Sequence, residues 1–188
     1  MRLIIRGHKG LTIREGPKDL LLKSSGKIAR ICKDNGNYSY VGTDDENLEV
    51  VCDYLYYLKN QSIKNENSMA TGCKYKRFCA LYGFCKRFED ADSATRVFKS
   101  FMRVYKESQK TLPDADVVKD IYKCTFGGDV MRKFVIECYM ETASDDDFKK
   151  ENRLPLEFTI DITSYPKASQ ELTWEEIITP QNYKKGLE

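Results

Sequence analysis

The hydrophobic periods along the chain predict an α+β protein: N-terminal antiparallel strands, a central bundle of about four helices, and two C-terminal strands completing a sheet. Three observations carry that expectation. Short apolar runs punctuated by glycine and asparagine fill residues 1–42, apolar residues recur at helical intervals over 43–126, and strict alternation returns within 130–163. The 188 residues suit a single domain, with 164–188 as an acidic C-terminal extension.

The N-terminal reading begins with "RLIIR" and "LTIRE", strands separated by Gly7-His8-Lys9-Gly10, a connection of hairpin length with glycine at both ends. "DLLLK" and "KIARIC" read as further strands. Asp34-Asn35-Gly36-Asn37 is the strongest turn signal, because Asn and Gly accept positive φ, and "YSYV" closes the run.

At Thr43 the period changes. Glu46 stands three residues on, in capping-box spacing, and Leu48, Val51, Cys52, Leu55 and Leu58 recur as one helical face ending near Asn60. "NQSIKNENSMATG" reads as a surface loop. "KYKRFCALYGFCKRF" reads as a second helix with Phe78, Leu81, Tyr82, Cys85 and Phe88 inward. Residues 91–110 read as the third and clearest helix, with Ala94, Val97, Phe98, Phe101, Val104, Tyr105 and Ser108 on one face. Pro113 suits the first turn of a fourth helix carrying Val117, Val118, Ile121 and Tyr122, and Gly127-Gly128 suits its end.

"KFVIECYME" and "LEFTIDIT" both alternate, the second with Leu156, Phe158, Ile160 and Ile162 on one side and Glu157, Thr159, Asp161 and Thr163 on the other. That pattern fits strands with one wet face. The charged connector "ASDDDFKKENRLP" joins them, and a short helix is expected at "TWEEII".

Composition bounds the function. Aromatic residues make up 12% of the chain, more apolar surface than a disordered chain carries. No apolar run approaches the roughly 20 residues that span a bilayer, and "MRLIIRGHKG" lacks the apolar core of a signal peptide. The expected location is therefore the cytoplasm, with peripheral contact at a membrane compatible with it. The cysteines at 32, 52, 73, 79, 85, 124 and 138 are odd in number, which with no export signal favours free thiols.

No arrangement in the sequence assembles an active site. Cys73, Cys79 and Cys85 are spaced six apart, which on a helix turns the thiols in three directions, and there is no C-x-x-C pair to start a zinc site. His8, the single histidine, lies in a predicted turn. Gly7-His8-Lys9-Gly10 lacks the rest of a phosphate-binding loop, and Asp145-Asp146-Asp147 lacks the alternate spacing of a calcium loop. The expectation is a protein that is not an enzyme, with no cofactor and no metal.

Charge is more informative. The net charge of +2 hides a segment at 74–110 with ten Lys/Arg against four Asp/Glu, and one at 141–188 with six against eleven. Within the basic segment, Arg96, Lys99, Arg103, Lys106 and Lys110 repeat at three- and four-residue steps opposite the apolar face, and Lys86 and Arg87 precede them. Ordinary solvated helix faces mix signs at these spacings, since like charges one turn apart repel. The seven cations therefore predict docking on an anionic polymer or acidic lipid surface: nucleic-acid phosphates or membrane headgroups. The bland reading pairs the same cations with the acidic C-terminal region of the chain or of a second copy. The expected protein is a structural or adaptor protein that self-associates and meets another protein through its acidic end. An intracellular protein–protein interaction module or regulatory factor without polyanion binding is the alternative. In size, layout and charge the chain resembles small viral matrix proteins, which join a membrane to a nucleoprotein; no motif carries the likeness.

Overall fold

A computed structural model describes residues 2–7, 10–16, 18–24, 38–42, 48–144, 147–148 and 154–165. Strands β1 (Arg2–Gly7), β2 (Gly10–Glu15) and β3 (Tyr38–Gly42) form a sheet in the order β2-β1-β3. The β1–β2 pairing is antiparallel and runs from Arg2 opposite Glu15 to Gly7 opposite Gly10, whereas β3 joins β1 in parallel. The other regular elements are helices: α1 (Lys18–Ser24), α2 (Leu48–Asn60), α3 (Thr71–Arg87), α4 (Ala91–Glu107), α5 (Ala115–Cys124), α6 (Val130–Thr142) and α7 (Leu156–Ser164), with a 3-10 turn at Glu66–Ser68.

The α+β expectation is thereby overturned. Seven α-helices dominate the described residues, and no C-terminal strand completes a sheet, because both expected strands are helical, as α6 and α7. "DLLLK", also expected as a strand, lies in α1. The physical reason is the ambiguity of short apolar runs. In α6, Met131, Arg132, Phe134, Val135, Ile136, Cys138 and Tyr139 are buried. At about 100° per residue they cover an arc of roughly 200°, so both halves of an apparent alternation reach core. In α7, steps of two send Leu156 and Ile160 to one side of a helix and Phe158 to the other. Phe158 is 0% exposed, against 75% for Leu156 and 54% for Ile160.

The capping box at Thr43, the "KIARIC" strand and the "TWEEII" helix fall outside the described residues. Pro113 precedes the fourth helix of the sequence reading instead of opening it: Asp114 caps α5 by accepting from the Val117 amide at 2.9 Å, and Asp129 caps α6 by accepting from the Met131 amide at 2.9 Å.

The chain divides into two compact units, residues 1–68 with 80–97 and residues 69–79 with 98–188. In the first, Leu21, Val51, Tyr54, Tyr57, Phe84 and Cys85 are buried. The Phe84 ring lies 4.8 Å from Tyr54 and 4.3 Å, stacked, from Phe88. Gly16 allows the chain after β2 to approach closely, since a Cβ there would stand 2.7 Å from Leu21 Cδ1 and 2.8 Å from Leu55 Cδ2.

In the second unit Phe134 of α6 is the centre of an aromatic cluster. Phe98, Phe101 and Tyr105 of α4 meet it edge-on at 5.7, 6.2 and 5.6 Å. Such pairs contribute about 0.5–1.5 kcal/mol each beyond the area they bury. Phe158 anchors α7 against Tyr139 and Tyr122 at 5.0 and 5.8 Å. Buried tyrosines tie down the connector after α4: Tyr75 donates to the Thr111 carbonyl and Tyr139 to the Pro113 carbonyl, both at 2.8 Å.

Candidate functional site

Helix α4 starts at a buried carboxylate. Asp90 Oδ1 accepts from the Ser93 amide at 2.9 Å, and Oδ2 accepts from the Tyr54 hydroxyl at 2.8 Å. Burial, and then the neighbouring Asp90 charge, push the Tyr54 phenol well above its ordinary value. The helix that follows hides Ala94, Val97, Phe98, Phe101, Val104 and Tyr105. Its outward side carries the cations.

Only part of the expected cation set is brought together. Lys99, Arg103 and Lys106 are exposed, and their four- and three-residue steps place them within an arc of about 60°, opposite the buried side. Arg103 reaches Glu107 one turn on, with Nε 4.0 Å from Oε1 and both side chains half or more in solvent. A pair of that kind contributes at most a few tenths of a kcal/mol.

Arg96 and Lys110 fall outside the group. Arg96 is half-buried; its Nη2 donates to Ser93 Oγ at 3.4 Å, and its Nε is buried with no acceptor among the described residues. Lys110 lies beyond the end of the helix at Glu107, in a turn where Gln109 and Lys110 have φ of 55° and 62°. Its ammonium pairs with Glu141 of α6. The bland pairing with acidic residues of the same chain thus holds for Lys110. Lys86 and Arg87 end α3 and belong to the other unit; Lys86 is half-buried, with Nζ 6.0 Å from the Tyr82 ring centre, and Arg87 is exposed.

The three cysteines at six-residue spacing separate: Cys73 is exposed, whereas Cys79 and Cys85 are buried. Among the described residues no three His, Cys, Asp or Glu side chains come together in a way that could hold a metal ion. Burial raises the thiols of Cys85 and Cys138 well above the ordinary value. This is the opposite of the shift that activates a nucleophilic cysteine.

Two features escape the sequence reading. The first is Arg132, buried on α6 and stacked 4.1 Å over the Tyr122 ring. Its only sequence signal is a cation within a strongly apolar run. The second is uncovered apolar surface in the second unit: Phe126 is 86% exposed in the loop between α5 and α6, and Leu156 and Ile160 stand one turn apart on α7. The adjacent Gly127-Gly128 was the cue for Phe126, since a chain that needs Gly128 at φ 84° turns sharply there.

No protein-family model, curated protein or solved structure matches this chain. No described helix is long and apolar enough to cross a membrane.

Proposed function

We propose that this chain is a non-catalytic scaffold or adaptor protein that docks on nucleic-acid phosphates through Lys99, Arg103 and Lys106. One observation carries the reading: three exposed cations share one side of α4 while the opposite side is packed into the core. The charges are held in a row at no cost in further folding, since the aromatic cluster around Phe134 already orients the helix. Phosphates are favoured over lipid headgroups because this side of α4 offers no exposed apolar residue to insert, and peripheral membrane binding by charge alone draws on clusters of roughly four to eight cations. Three contacts of this kind give weak, sequence-independent binding, with a Kd of about 10⁻⁴–10⁻⁶ M.

Anisotropy of a labelled single-stranded RNA, titrated at several salt concentrations, tests the reading. Each cation changed to glutamine should lower the salt slope by roughly 0.7. The exposed positions tolerate the change without loss of fold. A triple variant, Lys99→Gln with Arg103→Gln and Lys106→Gln, that binds as tightly as the parent removes the proposal. Binding to anionic vesicles but not to RNA would transfer the same face to a membrane.

A second reading rests on a separate observation. Leu156 and Ile160 form an uncovered apolar pair on α7, which suits a protein–protein interaction module. Self-association through this pair would make the mass by light scattering rise with concentration. Leu156→Glu with Ile160→Glu should then hold the chain at the 21.8 kDa of one copy, and a parent already at that mass at every concentration excludes self-association.

A further inference from the structure

Helix α7 lies on a surface made by α5 and α6. The Phe158 ring packs edge-on against the Tyr122 and Tyr139 rings, Glu157 meets Arg132 Nη1 at 3.0 Å, and Asp161 Oδ2 accepts from the Tyr122 hydroxyl at 2.8 Å. Just past the helix, Tyr165 donates to Glu137 of α6 at 2.7 Å. The receiving groups are held in place by bonds that do not involve α7. Arg132 gives Nε to Thr125 Oγ1 and Nη2 to the Tyr122 and Thr125 carbonyls, all at the end of α5, and lies over the Tyr122 ring. Nη1 is the arm left for a carboxylate. The Tyr139 hydroxyl is tied to the Pro113 carbonyl. A surface anchored in this way keeps its shape when α7 leaves, and a preformed site binds at a lower ordering cost. The helix itself is a lightly held piece. It buries one residue of its nine, where α6 buries seven of thirteen, and it leaves Leu156 and Ile160 in water.

We propose that the α5–α6 surface around Arg132 is a docking site for a helix of another protein, closed in this chain by α7. The groups that receive α7 define the chemistry of that partner. Arg132 Nη1 takes a carboxylate, the Tyr122 and Tyr139 rings take the aromatic side chain that follows it, and the Tyr122 hydroxyl takes a second carboxylate one turn beyond the first. The partner is thus an acidic helix with the spacing Glu-Phe-x-x-Asp, as at 157–161 of this chain, laid into the groove by one face. The site is separate from the cation row on α4 and does not rest on it. Because it is tethered, α7 competes at an effective concentration on the order of millimolar. It therefore keeps weak ligands out and yields to a helix that binds well below that concentration.

The probe is a fluorescein-labelled peptide with the sequence of residues 154–165, LPLEFTIDITSY, titrated with the full chain and followed by anisotropy. A chain carrying Phe158→Ala, which loosens α7, should bind the peptide at least about tenfold more tightly than the parent does. A peptide carrying Phe158→Ala should lose that binding. Equal affinity of the two chains, or of the two peptides, overturns the proposal. Hydrogen exchange of the parent chain decides the question if the variant does not fold. The amides of α7 should exchange at least about tenfold faster than those of α5 and α6, through a local opening. Amides of α7 as slow as those of α6 would mean that the helix leaves only when the unit unfolds, which also overturns the proposal. A parent at twice 21.8 kDa that Phe158→Ala returns to one copy would give the groove to α7 of a second copy, and the outside partner would be lost.

Discussion

Arg132 shows how much a single side chain can hold. Its Nε donates to Thr125 Oγ1 at 2.9 Å, Nη2 donates to the carbonyls of Tyr122 at 2.8 Å and Thr125 at 2.6 Å, and Nη1 meets Glu157 at 3.0 Å. The last carbonyls of a helix lack intrahelical partners. Here a guanidinium from the next helix supplies donors at the end of α5 and reaches α7 as well. Arg132→Met should therefore lower stability by roughly 3 kcal/mol, as buried charge-assisted hydrogen bonds are lost and carbonyls are left unpaired. Arg132→Lys should recover little, because one ammonium cannot reproduce the planar fork. Glu157 is mostly in solvent, so Glu157→Gln should cost less than about 1 kcal/mol. Urea unfolding of the three variants checks the order. Equal losses for Arg132→Met and Glu157→Gln would place the energy in the ion pair and not in the capping of α5.

Among the elements, α7 buries a single residue, Phe158. Phe158 is enclosed by Tyr122 and Tyr139, while Tyr122 also donates to Asp161 at 2.8 Å. Phe158→Ala should cost about 3–5 kcal/mol, the usual penalty for emptying a buried aromatic site. Leu156→Ala, two residues away, should stay within about 0.5 kcal/mol, because its side chain already faces water. Chemical denaturation of both variants distinguishes the helix from the strand once expected. A strand would have placed positions 156, 158 and 160 on one covered face, making their losses comparable. The same comparison explains what could be read in advance. In α3 and just past its end, Phe78, Leu81, Tyr82, Cys85 and Phe88 are all buried as the spacing implied. In α2 the buried line runs through Val51, Tyr54 and Tyr57, while Cys52, Leu55 and Leu58 are only half-covered. Hydroxyl-bearing aromatics are easily left out of an apolar stripe, and Tyr54 enters the core because Asp90 accepts a hydrogen bond from its hydroxyl.

Across the chain, buried phenols and thiols give the fold an alkaline limit. Tyr54, Tyr75, Tyr105 and Tyr122 are all pushed up, first by burial, as are Cys85 and Cys138, and Cys79 is pushed up as well. Cys79 differs only in that its contact with Cys124 outweighs burial. A folded-state pKa above the unfolded one means that the folded chain keeps its protons longer. The associated stability is complete below the ordinary values, 9.0 for a thiol and 10.0 for a phenol, and is lost as pH rises toward the shifted ones. For Tyr75 that window runs from 10.0 to about 12. The urea midpoint should be insensitive to these groups from about pH 7 to about pH 9 and should fall steadily above that range. A midpoint that stays level up to about pH 11 would show that the phenols are not sequestered as described.

Periodicity was enough to find α2 to α5 as helices and to orient α4 and α5, because those two bury a single stripe and face water on the other side, so the pattern of residue types reports their orientation directly. It was also enough to mark Lys99, Arg103 and Lys106 as one outward row. It could not separate Arg96 and Lys110 from that row. Arg96 is drawn inward beside Ser93, and Lys110 sits past the helix end facing Glu141, a residue 31 positions on. Nor could it tell helix from strand in α6 and α7, where a few apolar residues fit both periods. For Lys110 and for α7 the outcome depends on groups distant in the chain, Glu141 for the cation and Tyr122, Arg132 and Tyr139 for the helix, and such neighbours exist only once the helices have packed.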